Sequence, residues 1–253
     1  MKVVILAGGF GTRLSEYTDL IPKPMVEIGG KPLLIHIIGL YSRSKHSDFY
    51  VALGYKSEVI ISYFKSIADE IILENKDETI CALKIHKNEI RVNLINTGIN
   101  TMTGGRIKRL SRYISDERFM LTYGDGLSNV NLSELEKFHI QHKKLATITA
   151  VQPPARFGGL LLNGNKVLSF REKSKLDQSW INGGFFIFES EFIEFIKNDE
   201  TFLEREPLES VASKDQLRAY KHEGFWQCMD TKRDRDYLEK LWQKGDAEWY
   251  QNK

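Results

Sequence analysis

Cysteine is scarce in this chain of 253 residues, which contains only Cys81 and Cys228. The two cysteines lie far apart and form no C-x-x-C pair, so the sequence predicts neither a disulfide framework nor a zinc site. Such sparse cysteine use is typical of proteins in the reducing cytoplasm, and we expect a cytoplasmic location.

Long apolar runs and an excess of charge of one sign are also lacking. The first apolar run, residues 3–6, is too short for the hydrophobic region of a signal peptide, and no stretch approaches the length of a membrane span. The 36 basic and 34 acidic residues give a formal net charge of +2. This balance argues against a nucleic-acid-binding face or a polybasic membrane anchor. We therefore expect no nucleic-acid partner and no membrane contact.

A glycine-rich segment follows the first apolar run. Residues 3–6 are apolar and largely β-branched, which predicts a strand buried on both faces, and the chain then reaches Gly8, Gly9 and Gly11. Glycines let a backbone approach a ligand closely and let successive N–H groups point at an anion. The segment therefore predicts a phosphate-binding loop at the end of a strand.

The loop matches neither of two common nucleotide-binding fingerprints. A Walker A loop ends in Gly-Lys-Ser/Thr, whereas Gly11 is followed by Thr12 and Arg13. A dinucleotide fingerprint that began at Gly9 would need its third glycine at Leu14. The sequence therefore excludes a standard P-loop and disfavours a nicotinamide-dependent enzyme.

The pattern that the loop does show is G-G-x-G-T-R-L, followed nine residues after Leu14 by Lys23 in Pro-Lys-Pro. This pattern resembles the signature of the sugar-1-phosphate nucleotidylyltransferases. It is far more specific than three glycines alone.

Strands and helices alternate in the first half of the chain. Apolar runs predict strands at residues 3–6 and 48–54, and residues 32–41 and 56–64 predict helices. This alternation implies parallel strands joined by right-handed crossovers. His36 lies on the apolar face of the first helix, and we expect it to be a packed core histidine.

The second half is richer in β-structure. Residues 156–173 predict a hairpin around an Asn163-Gly164 turn, and residues 180–188 predict one strand. We therefore predict a Rossmann-like, doubly wound α/β fold with a mixed sheet and β-rich additions in the second half. The predicted organisation is a single nucleotidyltransferase domain, 1–253, with a nucleotide-binding half at 1–130, a sugar-phosphate-binding half at 131–230 and a C-terminal helix at 231–253.

A carboxylate between two glycines ends a further apolar run, residues 118–123. Ligands of doubly wound sheets bind at the carboxyl ends of the strands, so Asp125 should face the same crevice as the glycine loop. An ordinary Asp-Gly turn is the alternative. Because the N-terminal signature is also present, we favour Asp125 as a metal ligand. Thr103 and Arg106 begin a predicted helix, whose free N–H groups favour an anion.

Over nearly its whole length the chain resembles the glucose-1-phosphate cytidylyltransferase family of this superfamily. The motifs that carry the resemblance are I-L-A-G-G at 5–9, K-P-M-V-E-I-G-G-K-P at 23–32, M-T-G-G-R at 102–106, Y-G-D-G at 123–126, R-F-G at 156–158, I-N-G-G-F-F at 181–186 and F-W-Q-C-M-D-T at 225–231. The resemblance implies Mg²⁺-dependent transfer of a cytidylyl group from CTP to α-D-glucose 1-phosphate, giving CDP-glucose and pyrophosphate. It also implies a role early in dideoxysugar synthesis for surface polysaccharide such as O-antigen, and a homo-oligomer.

The loop pattern and the resemblance together imply the following roles. The catalytic residues are Arg13, Lys23 and Asp125. The nucleotide-binding residues are Leu6, Ala7, Gly8, Gly9, Gly11, Thr12, Arg13, Lys23, Thr103, Arg106 and Gly124. The residues that bind the sugar phosphate are Gly158, Glu172, Lys173 and Asn182. The metal ligands are Asp125 and Asp230.

Three departures from the family pattern leave alternatives open. Ser174 replaces the proline of a Glu-Lys-Pro motif, Gly159 replaces an alanine, and residues 67–93 follow no family pattern. The first two lie near the expected sugar pocket, so another phosphorylated acceptor stays possible. The same chemistry with another nucleoside triphosphate, or a subunit that binds these ligands without catalysis, also stays open.

Overall fold

A computed structural model describes residues 1–12, 20–153, 159–171 and 179–250. The strands, numbered in chain order, are β1 (Lys2–Leu6), β2 (Glu27–Ile28), β3 (Lys31–Pro32), β4 (Asp48–Leu53), β5 (Glu70–Glu74), β6 (Glu78–Ile85), β7 (Asn88–Asn96), β8 (Phe119–Tyr123), β9 (Gly126–Ser128), β10 (Ala146–Val151), β11 (Gly159–Asn163), β12 (Lys166–Arg171), β13 (Ile181–Asn182), β14 (Phe186–Phe188), β15 (Leu217–His222) and β16 (Trp226–Cys228).

The helices, numbered in the same way, are α1 (Leu33–Arg43), α2 (Ser57–Ile67), α3 (Thr103–Arg109), α4 (Ser111–Ile114), α5 (Leu132–His142), α6 (Glu206–Ser213) and α7 (Lys232–Lys244). Two 3₁₀ helices lie at Lys23–Met25 and Ser190–Phe195. No helix in the described part of the chain is long and apolar enough to cross a membrane.

One large mixed sheet forms the centre of the fold. Strand β1 pairs in parallel with β4 on one side and with β8 on the other, and β4 pairs in parallel with β7. Antiparallel β6 and β5 extend the sheet beyond β7, and antiparallel β14 and β10 extend it beyond β8. Strand β15 completes it by pairing in parallel with β10. The predicted doubly wound α/β fold with a mixed sheet is confirmed.

The buried β1 strand explains why the glycine loop sits where it does. Val3 and Ile5 pack into one core cluster together with Leu34 of α1, whereas Val4 packs into a second cluster with Ile107 of α3. Successive strand residues point to opposite faces, so an apolar run without polar spacers belongs inside a sheet covered on both faces. Because β1, β4 and β8 run in parallel, their carboxyl ends meet at one edge of the sheet.

The single strand predicted over residues 180–188 is interrupted, so this prediction is wrong. Residues 180–188 form two short strands, β13 and β14, because residues 183–185 interrupt them. Gly184 has φ of 76° and Phe185 has φ of 49°, and this left-handed conformation ends an extended strand. Both β13 and β14 still pair with β10. The break turns Asn182 toward the carboxyl end of β8, where Asn182 contacts Tyr123.

The hairpin at β11 and β12 and the strand at residues 48–54 are confirmed. The helix predicted to begin at Thr103 is short: α3 ends at Arg109, and a second helix, α4, follows after Leu110. The C-terminal helix predicted at 231–253 is shorter: α7 begins with a capping box formed by Thr231 and Asp234 and ends at Lys244, because Gly245 caps it with a left-handed φ of 76°.

His36 is a packed core histidine, as predicted. It is 3% exposed, and its Nε2 lies 2.8 Å from the Ile28 carbonyl oxygen. The Trp249 indole N–H donates to Nδ1 of His36 over 3.3 Å, so Nδ1 has to be unprotonated. Burial lowers the pKa of His36 to about 4. Burial likewise lowers the pKa of His139, which is 1% exposed, to about 4.

We expect acid to destabilise the fold as the pH falls from 6.5 toward 4. In this window the unfolded histidines bind protons that folded His36 and His139 do not accept, so the free energy of unfolding decreases as the pH decreases. Each of these two pKa shifts corresponds to about 3 kcal/mol of unfolding free energy once the pH lies below both pKa values of the histidine. Urea unfolding at pH 7.5, 6 and 5 measures the change. A His36→Gln variant should show a flatter dependence, and equal free energies at all three pH values would contradict the expectation.

Candidate active site

The glycine loop after β1 is fixed by a buried arginine. Arg106 of α3 is 4% exposed, and its guanidinium donates to the carbonyl oxygens of Gly8, Leu53 and Gly98 at 2.9, 2.8 and 2.8 Å. A Cβ on Gly8 would lie 2.2 Å from Nη1 of Arg106, so any other residue there would displace the guanidinium from its hydrogen bonds. Burial lowers the pKa of Arg106 to about 10, and the side chain remains charged at neutral pH. Arg106 thus fixes the position of the glycine loop through the Gly8 carbonyl oxygen. A contact between Arg106 and a nucleotide stays a prediction.

The two glycines of the T-G-G-R motif allow another segment to cross the start of α3. A Cβ on Gly105 would lie 2.5 Å from Cα of Asp199, and one on Gly104 would lie 2.8 Å from the carbonyl oxygen of Thr201. The Gly105 N–H donates to the same Thr201 oxygen over 3.2 Å. We call residues 198–205 the crossing segment. It brings side chains to the cleft that sequence patterns did not identify.

Lys23 and two carboxylates form a cluster at the carboxyl ends of the strands. The Lys23 ammonium donates to Oδ2 of Asp125 over 2.8 Å and to Oδ1 of Asp230 over 2.6 Å. The side chains of Lys23, Asp125 and Asp230 are 10%, 32% and 17% exposed. Burial acts to lower the pKa of Lys23, but the two carboxylates outweigh it and raise that pKa above 10.5. The predicted convergence of these three residues is therefore seen in the structure.

Backbone hydrogen bonds hold the two carboxylates at this position. Asp125 follows β8 after Gly124, and its carbonyl oxygen accepts from the Met229 N–H over 2.8 Å. The Asp234 carboxylate accepts from the N–H groups of Asp230 and Thr231 at 3.1 and 2.9 Å while it caps α7. The N terminus of α7 thereby fixes Asp230.

Two pockets adjoin at this cluster. The first pocket has a volume of about 400 Å³ and the second about 240 Å³, and Tyr123 and Asp125 line both. All predicted nucleotide-binding residues that the structure describes line the first pocket: Leu6, Ala7, Gly8, Gly9, Gly11, Thr12, Lys23, Thr103, Arg106 and Gly124. Asn182 and Asp230 line the second pocket. The predicted site residues in the described parts of the chain therefore form one continuous cleft.

Four predicted site residues lie outside the described residues. They are Arg13, Gly158, Glu172 and Lys173. Of the two departures near the sugar pocket, Gly159 is the first residue of β11, and Ser174 lies outside the described residues. The roles of these residues stay predictions.

Several further residues line the cleft that the sequence patterns do not predict. Phe10, Ile99 and Phe202 line the first pocket and are 46%, 50% and 37% exposed. Trp226 lines the second pocket and donates its indole N–H to the Gly183 carbonyl oxygen over 2.8 Å. Large apolar side chains in loops follow no helical or strand period, so the sequence carried no signal for Ile99 or Phe202.

Cys228 lines the second pocket beside the carboxylates. Burial, together with the charges of Asp230 and Asp125, raises the pKa of the Cys228 thiol to about 12. A protonated thiol is a poor nucleophile, so the cleft offers no activated cysteine.

A larger cavity of about 840 Å³ lies elsewhere, against α1 and β15. Arg43, His86 and His222 line it, and none of the predicted site residues that the structure describes does. Cavity size alone therefore does not locate the site; the convergence of Lys23 and the carboxylates does.

The model of the family described as Nucleotidyl transferase matches residues 2–240 of the chain. A glucose-1-phosphate cytidylyltransferase of Salmonella typhimurium is 48% identical over 257 residues, covering 98% of each chain. A probable glucose-1-phosphate cytidylyltransferase of Bacillus subtilis is 38% identical, covering 98% of this chain and 99% of its own.

Solved structures show the same fold. HddC from Yersinia pseudotuberculosis, complexed with GMP-PN, superposes with a TM-score of 0.70 at 24% identity, covering 95% of this chain and 99% of that one. A UDP-glucose pyrophosphorylase complexed with UDP-glucose superposes with a TM-score of 0.68 at 16% identity, covering 96% and 98% of the two chains. At these identities the likeness concerns the fold alone.

Proposed function

The chain belongs to the nucleotidyl transferase family, and we propose that it transfers a cytidylyl group from CTP to α-D-glucose 1-phosphate, giving CDP-glucose and pyrophosphate. The observation that carries the reaction type is the cluster of Lys23, Asp125 and Asp230 at the junction of two pockets. The choice of CTP and glucose 1-phosphate is supported by the names of the two cytidylyltransferase relatives.

The proposed reaction is one in-line displacement at phosphorus. An oxygen of the sugar phosphate attacks the α-phosphorus of CTP from the second pocket, and a new P–O bond forms. The bond from the α-phosphorus to the oxygen that bridges to the β-phosphorus breaks, and pyrophosphate leaves with the electron pair. A phosphate oxygen is already ionised at neutral pH, so the attack needs no general base.

The residues of the cleft act by holding and neutralising charge. The Lys23 ammonium, charged and 10% exposed, would balance negative charge that builds up around the α-phosphorus. The loop at Gly8 and Gly9 would direct backbone N–H groups at the triphosphate, with its position set by Arg106. Catalysis would come from positioning and electrostatic stabilisation, as in other phosphoryl transfers.

The carboxylates of Asp125 and Asp230 fit a magnesium ion. Both contact the same ammonium at 2.8 and 2.6 Å, so two hard oxygen donors stand together at the pocket junction. Mg²⁺ is usually bound by one or two carboxylates and takes its other ligands from water and substrate phosphates. When bound, the ion would neutralise charge on the triphosphate and on the leaving pyrophosphate.

The remaining lining suits the organic parts of the two substrates. The exposed apolar side chains of Phe10, Ile99 and Phe202 offer a nucleobase an apolar surface. Asn182 and Trp226 in the second pocket offer polar and aromatic contacts that a sugar ring uses. Glu172 and Lys173 remain predicted sugar-phosphate ligands, and assembly into a homo-oligomer stays a prediction.

A grid of substrates tests the proposal. Pyrophosphate release with Mg²⁺ is measured for CTP, UTP, dTTP, GTP and ATP, each with glucose 1-phosphate and with other sugar 1-phosphates. We expect the highest kcat/KM for CTP with glucose 1-phosphate, with other nucleotides lower by about tenfold or more, because lost base hydrogen bonds leave polar groups unpaired.

Other outcomes of the grid identify which part fails. Faster turnover of UTP or dTTP would overturn the cytidylyl assignment. Turnover of CTP with another sugar phosphate would overturn only the acceptor and would direct attention to Gly159 and Ser174. Tight CTP binding without pyrophosphate release in any combination would favour a non-catalytic subunit.

A further inference from the structure

Glu204 of the crossing segment joins two hydroxyl groups in the cleft. Its Oε2 accepts a hydrogen bond from Oγ1 of Thr103 over 2.7 Å, and its Oε1 accepts one from the hydroxyl of Tyr123 over 2.7 Å. Thr103 lines the first pocket, whereas Tyr123 lines both pockets. The Glu204 carboxylate thus links a residue of the first pocket, Thr103, to a residue that both pockets share, Tyr123.

The chain of hydrogen bonds continues into the second pocket. Asn182 donates from Nδ2 to the Tyr123 hydroxyl oxygen over 3.2 Å. Its own Oδ1 accepts from the Gly184 N–H over 2.8 Å, which fixes the orientation of the amide. At the other end, Oγ1 of Thr103 accepts from the Leu203 N–H over 2.9 Å. The path from Thr103 to Asn182 therefore spans both pockets through Glu204.

The charge of Glu204 determines the direction of these hydrogen bonds. An ionised carboxylate accepts and cannot donate, so it consumes the single hydroxyl proton of Thr103 and that of Tyr123. Both hydroxyl oxygens are then left with acceptor capacity only. Substrates in either pocket would meet fixed acceptors, suited to the hydroxyl groups of a ribose or a hexose.

We propose that Glu204 is a positioning residue that sets the orientation of Thr103 and Tyr123, and through Tyr123 that of Asn182, so that both substrate pockets depend on one carboxylate. The proposal rests on the proposed function in that it places a nucleotide in the first pocket and a sugar phosphate in the second. It adds a residue outside both pockets to the determinants of substrate binding.

The test compares Glu204→Gln with single changes at its two partners. An amide of the same shape has one acceptor oxygen, so one of the two hydroxyls must lose its partner or reverse its hydrogen bond. KM is measured separately for the nucleotide and the sugar phosphate, with the substrate pair that the wild-type enzyme turns over fastest. For Glu204→Gln we expect both KM values to rise, because both hydroxyls lose a charged acceptor. The KM on the side whose hydrogen bond is lost or reversed should rise by about tenfold.

Variants of Tyr123 and Thr103 separate the effects of the two hydrogen bonds that Glu204 accepts. Tyr123→Phe should raise mainly the KM of the sugar phosphate, and Thr103→Val mainly that of the nucleotide. Combining Tyr123→Phe with Glu204→Gln should raise the sugar-phosphate KM by much less than the product of the two single effects, because both act on one chain of hydrogen bonds. Glu206→Gln is the matched control, since Glu206 lies two residues away and pairs with Lys197 on the surface over 2.5 Å; its KM values should stay within twofold of wild type.

A purely structural role would give a different result. Unchanged KM values for Glu204→Gln, or a loss of activity that only follows a loss of folded protein in thermal unfolding, would overturn the proposal. Failure of the proposed function differs from failure of the proposed role of Glu204. In the first case the wild-type enzyme itself would turn over no pair of nucleotide and sugar phosphate in the grid. In that case calorimetric binding of CTP decides: equal affinities of wild type and Glu204→Gln would reject the role of Glu204.

Discussion

Replacing Asp125 or Asp230 by asparagine is expected to lower kcat by about a hundredfold to a thousandfold, the scale of losing an electrostatic group that acts on the transition state. Both carboxylates lie at the junction of the two pockets, in contact with Lys23 at 2.8 and 2.6 Å. An amide keeps the shape of the side chain but removes the charge that Mg²⁺ requires. Steady-state pyrophosphate release and calorimetric Mg²⁺ binding measure the two consequences, and both should be impaired in each variant.

The fold should survive these substitutions because each leaves Lys23 one carboxylate partner. Asp116→Asn is the matched control, since Asp116 pairs with Lys2 over 2.6 Å and is 69% exposed. Its turnover should equal that of the wild type. Rates within tenfold of wild type in both Asp125→Asn and Asp230→Asn would contradict the assignment of these residues to a metal site.

Replacing Lys23 by methionine is expected to lower kcat about as much as the aspartate substitutions do. Mg²⁺ binding should stay intact or become stronger. The ammonium is held by two carboxylates and lies where negative charge would develop at the α-phosphorus. Without it, Asp125 and Asp230 repel each other, which favours any cation that can bridge them. Loss of turnover with retained metal affinity separates Lys23 from the aspartates.

Lys65→Met provides the comparison for Lys23. Lys65 also pairs with a carboxylate, that of Glu74 over 2.7 Å, but it lines neither of the two cleft pockets. We expect normal turnover and normal Mg²⁺ affinity for it. A Lys23→Met enzyme that kept more than a tenth of wild-type kcat would refute the proposed role of the ammonium.

The sequence predicted the parts of the site that rest on local patterns. The glycines after β1 and Asp125 after β8 follow buried strands, and the carboxyl ends of parallel strands meet at one edge of the sheet. The fold, the enzyme class and the resemblance to the glucose-1-phosphate cytidylyltransferase family, all inferred from such patterns, are confirmed.

Long-range contacts could not be predicted in this way. Glu204 lies 101 residues from Thr103 and 81 from Tyr123, and no spacing in the sequence indicates that they meet. The interruption between β13 and β14 depends on a left-handed Phe185, a conformation that bulky residues rarely adopt. Arg106 was assigned to a nucleotide from its place at a helix start, whereas its bonds to the Gly8 and Gly98 carbonyls depend on tertiary packing.

The most direct test of the central claim is metal-dependent transfer by the wild-type enzyme. The protein is freed of metal with EDTA and mixed with CTP and glucose 1-phosphate, and pyrophosphate and CDP-glucose are quantified before and after Mg²⁺ is added. We predict that both products appear in equal amounts only after Mg²⁺ is added, and that neither appears when glucose 1-phosphate is omitted. Equal rates without Mg²⁺, or pyrophosphate release without a sugar phosphate, would contradict the account.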